Sequence, residues 1–309
     1  MIVEVKKLIK RYGDKIVLNG FNMNVEKGKI TGLIGPNGSG KTTAINCILG
    51  LLTHDSGEIN VFGGEMKPNS YDKKARIGIV PQDIVVIPEL KVQENIEFFC
   101  SLYEKDSKKV RMLAEEAMEF VNIGEYRNYL PKKLSGGLKR RLNIACGIAH
   151  KPELLVLDEP TVAVDAQSRN FILNKIKDLS KNGTSVIYTT HYMEEVEMIA
   201  DNIVIIKDGK NIATGTLDSL LNMIEDTEKI SISLLTKEDM SESFKTIPNV
   251  KKVTFEDGVH NLSFKDADNN LRGLINFLDE HNLKYSHIYS EKPRLNQIYL
   301  ELTGKELVE

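Results

Sequence analysis

The chain contains Gly35-Pro36-Asn37-Gly38-Ser39-Gly40-Lys41-Thr42, which matches the pattern G-x-x-x-x-G-K-[ST]. The glycines let the backbone curl so that successive N–H groups point inward at an anion. In such a loop Lys41 reaches the β- and γ-phosphates of a nucleotide, and the Thr42 hydroxyl ligates Mg²⁺. The pattern therefore predicts a phosphate-binding loop.

The residues on both sides of this loop have the expected character. Residues 29–34 are typical of a short buried strand that enters the loop, and residues 43–49 of a helix that leaves it. The N-terminus of that helix adds positive dipole at the phosphates. A chance match on a glycine-rich turn is the alternative, and the flanking strand and helix argue against it.

A second motif places two carboxylates after a buried strand. Residues 154–157 are a continuous apolar run that ends in Asp158 and Glu159. Such a run is typical of a strand buried on both faces of a parallel sheet, where ligands bind at the carboxyl ends of the strands. We expect Asp158 to lie beside Mg²⁺. We expect Glu159 to face the γ-phosphate and to orient or deprotonate the attacking water.

A third motif, Leu134-Ser135-Gly136-Gly137-Leu138-Lys139-Arg140-Arg141, precedes a stretch with helical character, residues 142–150. Ser135 is placed to cap that helix, and the two glycines let backbone N–H groups approach an anion. This predicts a second phosphate-binding surface, serving a nucleotide held by another subunit. An ordinary turn before a helix is the alternative. For the Lys139–Arg141 run, a solvated helix face is the expectation.

Together these residues resemble the ATP-binding cassette family, the nucleotide-binding subunits of membrane transporters, over roughly residues 2–220. Four further positions match the family in the required order. By this resemblance Tyr12 stacks on adenine, and Gln82 contacts Mg²⁺ and water and senses the permease. Asp165 touches the opposite subunit, and His191 is the switch histidine near the γ-phosphate.

The resemblance thus implies a full set of site residues, with ATP and Mg²⁺ as cofactors. The implied catalytic residues are Lys41, Gln82, Glu159 and His191, and the implied metal ligands are Thr42, Gln82 and Asp158. The implied ATP contacts are Tyr12, Gly35, Pro36, Asn37, Gly38, Ser39, Gly40, Lys41, Thr42, Thr43, Ser135, Gly136, Gly137 and Asp165.

Two places depart from the family pattern. Leu138 stands where the signature usually has Gln, and Ala163-Val164 replaces a common Gly-Leu before Asp165. Because Ser135, Gly136 and Gly137 carry the phosphate contacts, we expect activity to survive. The departures put the detailed subunit contact in doubt and leave the family assignment unchanged.

Composition is that of an ordinary soluble protein. The 309 residues are 41% hydrophobic and 28% charged, with a net charge of −3, and no basic block typical of nucleic-acid binding stands out. No apolar stretch approaches the ~20 residues that span a bilayer. Cys47, Cys100 and Cys146 indicate reduced core cysteines of a cytosolic protein. Transport therefore requires a separate multi-spanning permease.

Periodicity and turn signals predict an α/β fold in two domains. Residues 1–225 form a P-loop NTPase core with an antiparallel β layer at the N-terminus and a helical subdomain at about 83–150. In that subdomain, residues 84–88 either line a groove for the permease or belong to its core. Residues 226–309 form a small α+β domain in the order β-α-β-β-α-β, which is ferredoxin-like. The ending, residues 295–304, resembles one exporter branch that serves drugs, antibiotics and small ions.

These features predict the ATPase subunit of a membrane exporter, on the cytoplasmic face of the membrane, that dimerises head to tail with a second copy and hydrolyses ATP. Nucleic acid is not an expected partner. The main alternative is a soluble cassette ATPase acting on ribosomes or nucleic acid. A simple phosphate-loop kinase and a nucleotide-gated regulator that barely hydrolyses ATP are the others. The transported substrate binds the permease, so this sequence does not identify it.

Overall fold

The computed structural model describes residues 1–223, 228–236, 238–265, 269–291 and 294–303. The chain divides into two compact units, Met1–Leu217 and a second that begins at Asp218. The predicted domain boundary at 225/226 falls within residues 224–227, outside the described residues, and stays a prediction.

The first unit contains two sheets and the helices that surround them. Its strands are β1 (Val3–Tyr12), β2 (Lys15–Val25), β3 (Ile30–Ile34), β4 (Ser56–Val61), β5 (Gly64–Glu65), β6 (Ile77–Val80), β7 (Leu154–Asp158), β8 (Ser185–Thr190), β9 (Asn202–Lys207) and β10 (Lys210–Gly215). Its helices are α1 (Lys41–Ile48), α2 (Tyr71–Lys74), α3 (Val92–Ser101), α4 (Ser107–Phe120), α5 (Gly136–Ile148), α6 (Ala166–Lys181) and α7 (Met193–Ile199). Two short 3-10 helices lie at Gly124–Tyr126 and Pro131–Lys133, and α8 (Leu217–Leu221) spans the division between the units.

The central sheet has the strand order β10-β9-β3-β8-β7-β6. Strands β9, β3, β8, β7 and β6 are parallel, and β10 is an antiparallel hairpin partner of β9. Every residue of β3, β7 and β8 is buried, as the continuous apolar runs predict. The predicted α/β class is confirmed. Since β8 lies between β3 and β7, it separates the strand before the phosphate loop from the strand that ends in Asp158.

The predicted antiparallel layer is also present, with the order β2-β1-β4-β5. Strands β1 and β2 pair around the turn at Gly13-Asp14, with Tyr12 opposite Lys15. A core of fully buried apolar side chains connects this layer to the central sheet through α1, and it includes Leu18, Phe21, Leu33, Ile48 and Ile206. Each such side chain contributes roughly 1.5–3 kcal/mol when it leaves water, so this core fixes α1 and the loop before it.

Between β6 and β7 the chain is helical. Helices α3 and α4 lie within the predicted helical subdomain at about 83–150. The prediction that Ser135 caps helix α5 is confirmed, since its side chain accepts a hydrogen bond from the Leu138 backbone N–H. The predicted helical range, residues 142–150, starts too late, because α5 begins at Gly136. Helix α6 begins at Ala166, where the Asp165 side chain caps it by accepting a hydrogen bond from the Ser168 backbone N–H.

The second unit is a four-stranded antiparallel sheet packed on helices. Its elements are β11 (Glu228–Leu234), α9 (Ser241–Phe244), β12 (Val250–Glu256), β13 (Val259–Phe264), α10 (Asn270–Glu280), β14 (Tyr285–Glu291) and α11 (Leu295–Thr303). Along the chain, the elements from β11 to β14 follow the predicted order β-α-β-β-α-β. In the sheet, the strands lie in the order β12-β13-β11-β14, which is the ferredoxin-like arrangement. Buried residues such as Ile230, Phe244 and Leu274 form its core. The predicted ending reaches Gly304, which lies outside the described residues.

Two predictions from composition concern the whole chain. Cys47, Cys100 and Cys146 are all buried and free. Among the described residues, no helix has both the length and the apolar character that a membrane crossing requires.

Helix α5 lies very close to β6, and glycines make this approach possible. A Cβ at Gly78 would lie 2.3 Å from the Gly147 carbonyl oxygen and 2.8 Å from Pro152 Cγ. The backbones of α5 and β6 are in contact there, so neither can move aside without disturbing its own helix or strand.

We expect Gly78→Ala to lower the free energy of unfolding by about 2 kcal/mol, because the added methyl overpacks the contact between α5 and β6. Denaturant titration measures it. Gly124→Ala is the control, since a Cβ there meets no atom within 4 Å, and its effect should stay within about 0.5 kcal/mol. Equal stabilities for both variants would show that α5 is not held against β6.

Candidate nucleotide-binding site

The phosphate loop connects β3 to α1 and has the conformation that only glycines tolerate. Gly40 has a φ of +108°, and a Cβ at Gly35 would lie 2.2 Å from the Ile206 carbonyl oxygen. Lys41, the first residue of α1, is buried, and its Nζ donates to the Gly35 carbonyl oxygen at 2.8 Å. The loop therefore encloses its own lysine and keeps that ammonium close to the backbone that turns around it.

Glu159 lies next to this ammonium. Its Oε1 is 3.2 Å from Lys41 Nζ, and its Oε2 is 3.4 Å from His191 Nδ1. Both Lys41 and Glu159 are more than nine-tenths buried. Glu159 has a φ of +46°, unusual for a non-glycine residue, and its backbone N–H is held by the Thr189 hydroxyl at 3.0 Å. The left-handed turn directly after β7 is what brings the carboxylate to the loop.

Asp158 is held from two sides by hydroxyl groups. Thr42 Oγ1 donates to Asp158 Oδ2 at 3.1 Å, and Thr189 Oγ1 donates to Asp158 Oδ1. Thr189 lies directly opposite Asp158 in the pairing of β7 with β8. Thr189 was not singled out from the sequence, because its role depends on which strand lies beside β7. Its position as a hydroxyl near the end of a buried strand is the only available signal.

An open recess of about 460 Å³ lies over the phosphate loop and Glu159, whereas Asp158 and His191 do not line it. It is lined by the phosphate loop, Gln82, Glu159 and the start of β2 at Lys15. Tyr12 is half exposed at the end of β1 and pairs with Lys15, so it lies beside this rim. A larger recess of about 800 Å³ involves Lys29 and Asp201 and contains none of the predicted site residues. The smaller recess is therefore the candidate nucleotide site, because it is lined by predicted site residues such as Lys41 and Glu159.

The signature residues form a separate group. Ser135, Gly136 and Gly137 do not line the recess around Lys41. They lie instead near Asp165: a Cβ at Gly137 would be 3.4 Å from Asp165 Oδ2 and 2.3 Å from Ser168 Oγ. Hydrogen bonds from Ser168 hold the pKa of Asp165 below its usual value, so this carboxylate stays charged at neutral pH. The predicted residues thus fall into two groups on this chain.

The prediction that Lys139, Arg140 and Arg141 form a solvated helix face is wrong for Arg140. Arg140 is buried, and its guanidinium donates to the carbonyl oxygens of Pro81 and Gln82 at 3.1 and 2.7 Å. Arg141 is partly buried, with its guanidinium 3.8 Å from the centre of the Phe171 ring. The pattern of charges along α5 did not show these contacts because they are made by segments distant in sequence.

A buried hydrogen-bond network, also missed in the sequence, lies behind Glu159 and His191. The Glu195 carboxylate accepts from the hydroxyls of Thr161 (2.6 Å), Tyr188 (2.9 Å) and Thr190 (2.8 Å). Burial, and then the neighbouring Glu195, raise the pKa of Tyr188, so its phenol remains a donor. Thr161 lies two residues after Glu159, and Thr190 directly precedes His191. The network therefore fixes the backbone on both sides of the catalytic candidates.

Comparisons with known proteins agree on one family. The sequence model of a family described as "ABC transporter" matches residues 18–162. The linearmycin resistance ATP-binding protein LnrL of Bacillus subtilis is 38% identical over 99% of both chains. The daunorubicin resistance ATP-binding protein DrrA3 of Streptomyces coeruleorubidus is 32% identical over 96% of this chain and 94% of its own. The dimeric structure of MJ0796, a bacterial ABC transporter cassette, is 27% identical, with a TM-score of 0.64 over 69% of this chain and 98% of its own.

The Lys41–Glu159 ion pair generates a prediction about stability. In buffer without nucleotide, Lys41→Met should lower the free energy of unfolding by about 3 kcal/mol, because Glu159 is left buried without its cation. Adding Glu159→Gln should recover part of the loss, since no unpaired buried charge then remains. Urea unfolding of the single and double variants measures both effects.

Lys29→Met is the matched control. It removes a lysine whose ion pair with Asp201 is exposed, and we expect a loss below about 1 kcal/mol. If the double variant instead showed the sum of the two single losses, Lys41 and Glu159 would not be coupled.

Proposed function

The chain belongs to the ABC transporter family of ATP-binding subunits, and from that premise we propose that it drives export of drugs, antibiotics or similar small molecules through a separate multi-spanning permease. The resemblance to this family that the motifs indicated is confirmed. The chain binds ATP and is an ATPase. Its relatives include resistance proteins for linearmycin and daunorubicin, which supports export and small-molecule substrates and does not favour the soluble ribosome or nucleic-acid alternative.

One observation carries the proposal: Glu159 contacts both Lys41 and His191 at the mouth of the phosphate loop. When ATP binds, the γ-phosphate oxygens compete with Glu159 for the Lys41 ammonium. The released carboxylate is then available to a water molecule. Glu159 accepts a proton as the water oxygen attacks the γ-phosphorus, the bond to the β–γ bridging oxygen breaks, and ADP and phosphate form. His191 keeps the Glu159 carboxylate in position relative to the γ-phosphate.

The oxygen donors beside the loop fit Mg²⁺. Thr42 Oγ1 and Asp158 Oδ2 are 3.1 Å apart, and the Gln82 side chain lines the same recess as Thr42. Hydroxyl, carboxylate and amide oxygens are the ligands this hard cation prefers, with few carboxylates and the nucleotide phosphates completing its shell. Bound there, the ion would offset the negative charge of the phosphates. Thr189 would orient Asp158 toward it.

The separation of the two groups of site residues supports a head-to-tail dimer. Ser135, Gly136, Gly137 and Asp165 lie together but outside the recess that holds Lys41. The backbone N–H groups at the N-terminus of α5 would then contact the γ-phosphate of ATP bound to the other copy. The Leu138 side chain takes no part in the Ser135 cap, which uses the Leu138 backbone N–H, so this departure leaves the phosphate surface intact. ATP joins the copies, and hydrolysis separates them.

The contact with the permease is proposed for the segment after Gln82. Ile84 and Val85 are exposed, at 37% and 49% of their surface. This favours a groove surface for these two residues over a place in the core of the helical region. The ATPase would then be held peripherally at the cytoplasmic face of the membrane, and the shape around Gln82 would report the state of ATP to the permease. Tyr12, beside Lys15, would stack on adenine.

Glu159→Gln tests this mechanism. We expect the variant still to bind ATP, to lose at least about 100-fold in turnover because the general base is absent, and to accumulate as an ATP-dependent dimer. Phosphate release and light scattering after size exclusion measure these properties. Glu125→Gln, a matched change at an exposed position, should behave as the unmodified chain. Normal turnover in Glu159→Gln would refute the assigned base.

A further inference from the structure

The segment that contains Gln82 is held from behind by helix α5. We call residues 81–85 the Gln82 segment. Arg140 on α5 is 4% exposed, and its two terminal nitrogens donate to the carbonyl oxygens of Pro81 (3.1 Å) and Gln82 (2.7 Å). A guanidinium is suited to this contact because its planar fork presents several donors in a fixed geometry.

Asn143, one helical turn after Arg140 and on the same face of α5, extends the contact. Its Oδ1 accepts from the Val85 backbone N–H at 3.1 Å, and its Nδ2 donates to the Asp83 carbonyl oxygen at 3.4 Å. Asn143 is buried. Two side chains of α5 therefore make four hydrogen bonds to the Gln82 segment, and all four are made to its backbone.

Because the partners are backbone groups, the side chains of the segment remain available for other work. Gln82 lines the recess beside Lys41 and Glu159, and Ile84 and Val85 stay exposed. The contact with α5 thus sets where the backbone lies, and hence where Gln82 is presented, without occupying the Gln82 amide itself.

A buried arginine is a costly way to fill space. Desolvation of the guanidinium is unfavourable, and burial lowers the pKa of Arg140, while the nearby Asp83 acts in the opposite direction. An apolar side chain would pack there without that cost, but it would leave the Pro81 and Gln82 carbonyl groups without the donors they now have. Arg140 therefore holds the Gln82 segment in position, although its burial is unfavourable.

Both ends of α5 are anchored to parts of the site. Its N-terminus carries Ser135, Gly136 and Gly137. Toward its C-terminus, a Cβ at Gly147 would be 2.7 Å from Val80 Cγ2 and 3.0 Å from the Ile79 carbonyl oxygen, which marks close contact with β6. Strand β6 leads directly into the Gln82 segment. Helix and segment are therefore connected by packing at one end and by Arg140 and Asn143 in the middle.

We propose that Arg140 and Asn143 are positioning residues that tie Gln82 to the signature helix, so that ATP contact at Ser135–Gly137 sets the place of Gln82 in the other nucleotide site of the dimer. This rests on the function proposed above. The signature touches the nucleotide of the second copy, whereas Gln82 belongs to the nucleotide of its own chain. Arg140 then links the two nucleotides through one helix.

A double-mutant cycle between Arg140 and Gln82 tests the proposal. Arg140→Met keeps the length of the side chain and removes its donors, and Gln82→Ala removes the amide but keeps the carbonyl that Arg140 binds. We expect Arg140→Met to lower kcat about tenfold, the worth of roughly one strong hydrogen bond, with the KM for ATP within about twofold. In the Gln82→Ala background the same change should cost less than about twofold. Arg111→Met, the same chemical change at an exposed position on α4, is the control and should leave kcat unchanged.

Losses that multiply across the cycle, or an unchanged kcat in Arg140→Met, would overturn the proposal. An unmodified chain that fails to hydrolyse ATP would instead contradict the proposed function, so the two failures are distinguishable. Asn143→Ala should reproduce the pattern of Arg140→Met more weakly.

Amide hydrogen exchange provides the measurement that a purely structural role would not reproduce. In Arg140→Met we expect faster exchange confined to residues 82–85, with β7 and β8 unchanged, because only the Gln82 segment loses partners. Faster exchange throughout the first unit would show that Arg140 merely supports packing, and this would overturn the proposal.

Discussion

A buried lysine requires a negative partner, and in this chain the order of the parallel strands determines which carboxylate can supply it. Lys41 is enclosed by the phosphate loop at the end of β3, two strands away from β7. Glu159 reaches it only because the backbone turns left-handed directly after β7. The turn is held in place by Thr189 on the strand between them. The ion pair, the central strand β8 and the strained backbone at Glu159 therefore depend on one another.

The same arrangement explains why the site can respond to a nucleotide. Glu159 shares its two oxygens between Lys41 and His191, so any anion that attracts Lys41 changes the surroundings of both other groups. Behind them, Glu195 and its three hydroxyl donors keep the backbone on either side fixed. The Glu195 network holds the backbone in place, while Lys41 can exchange Glu159 for a phosphate oxygen. Nucleotide binding therefore acts on Glu159, the carboxylate that we assign to water activation.

The sequence predicted the parts of this site that depend on local pattern and failed where tertiary neighbours decide. The continuous apolar runs before Gly35 and Asp158 predicted buried strands, and the loop motif predicted the position of Lys41. Strand order is not encoded in such runs, so Thr189 could not be chosen before β8 was known to lie against β7. The cap at Ser135 was predicted correctly, but helix α5 begins at Gly136, earlier than its apolar periodicity suggested. Arg140 was expected to be solvated because the carbonyl groups it binds lie some sixty residues away in sequence, where a local pattern cannot show them. What local reasoning cannot see is thus concentrated in the contacts that hold the catalytic loops.

The central claim is that hydrolysis at Glu159 is read by a membrane protein through the exposed residues after Gln82. The most direct test is isolation of the tagged chain from membranes of cells that make it, with ATP and Mg²⁺ present, beside a variant with Ile84→Asp and Val85→Asp. The account predicts that a multi-spanning membrane protein accompanies the unmodified chain and is lost from the variant, while the variant still binds ATP. Ribosomal or nucleic-acid partners without any membrane protein would contradict it.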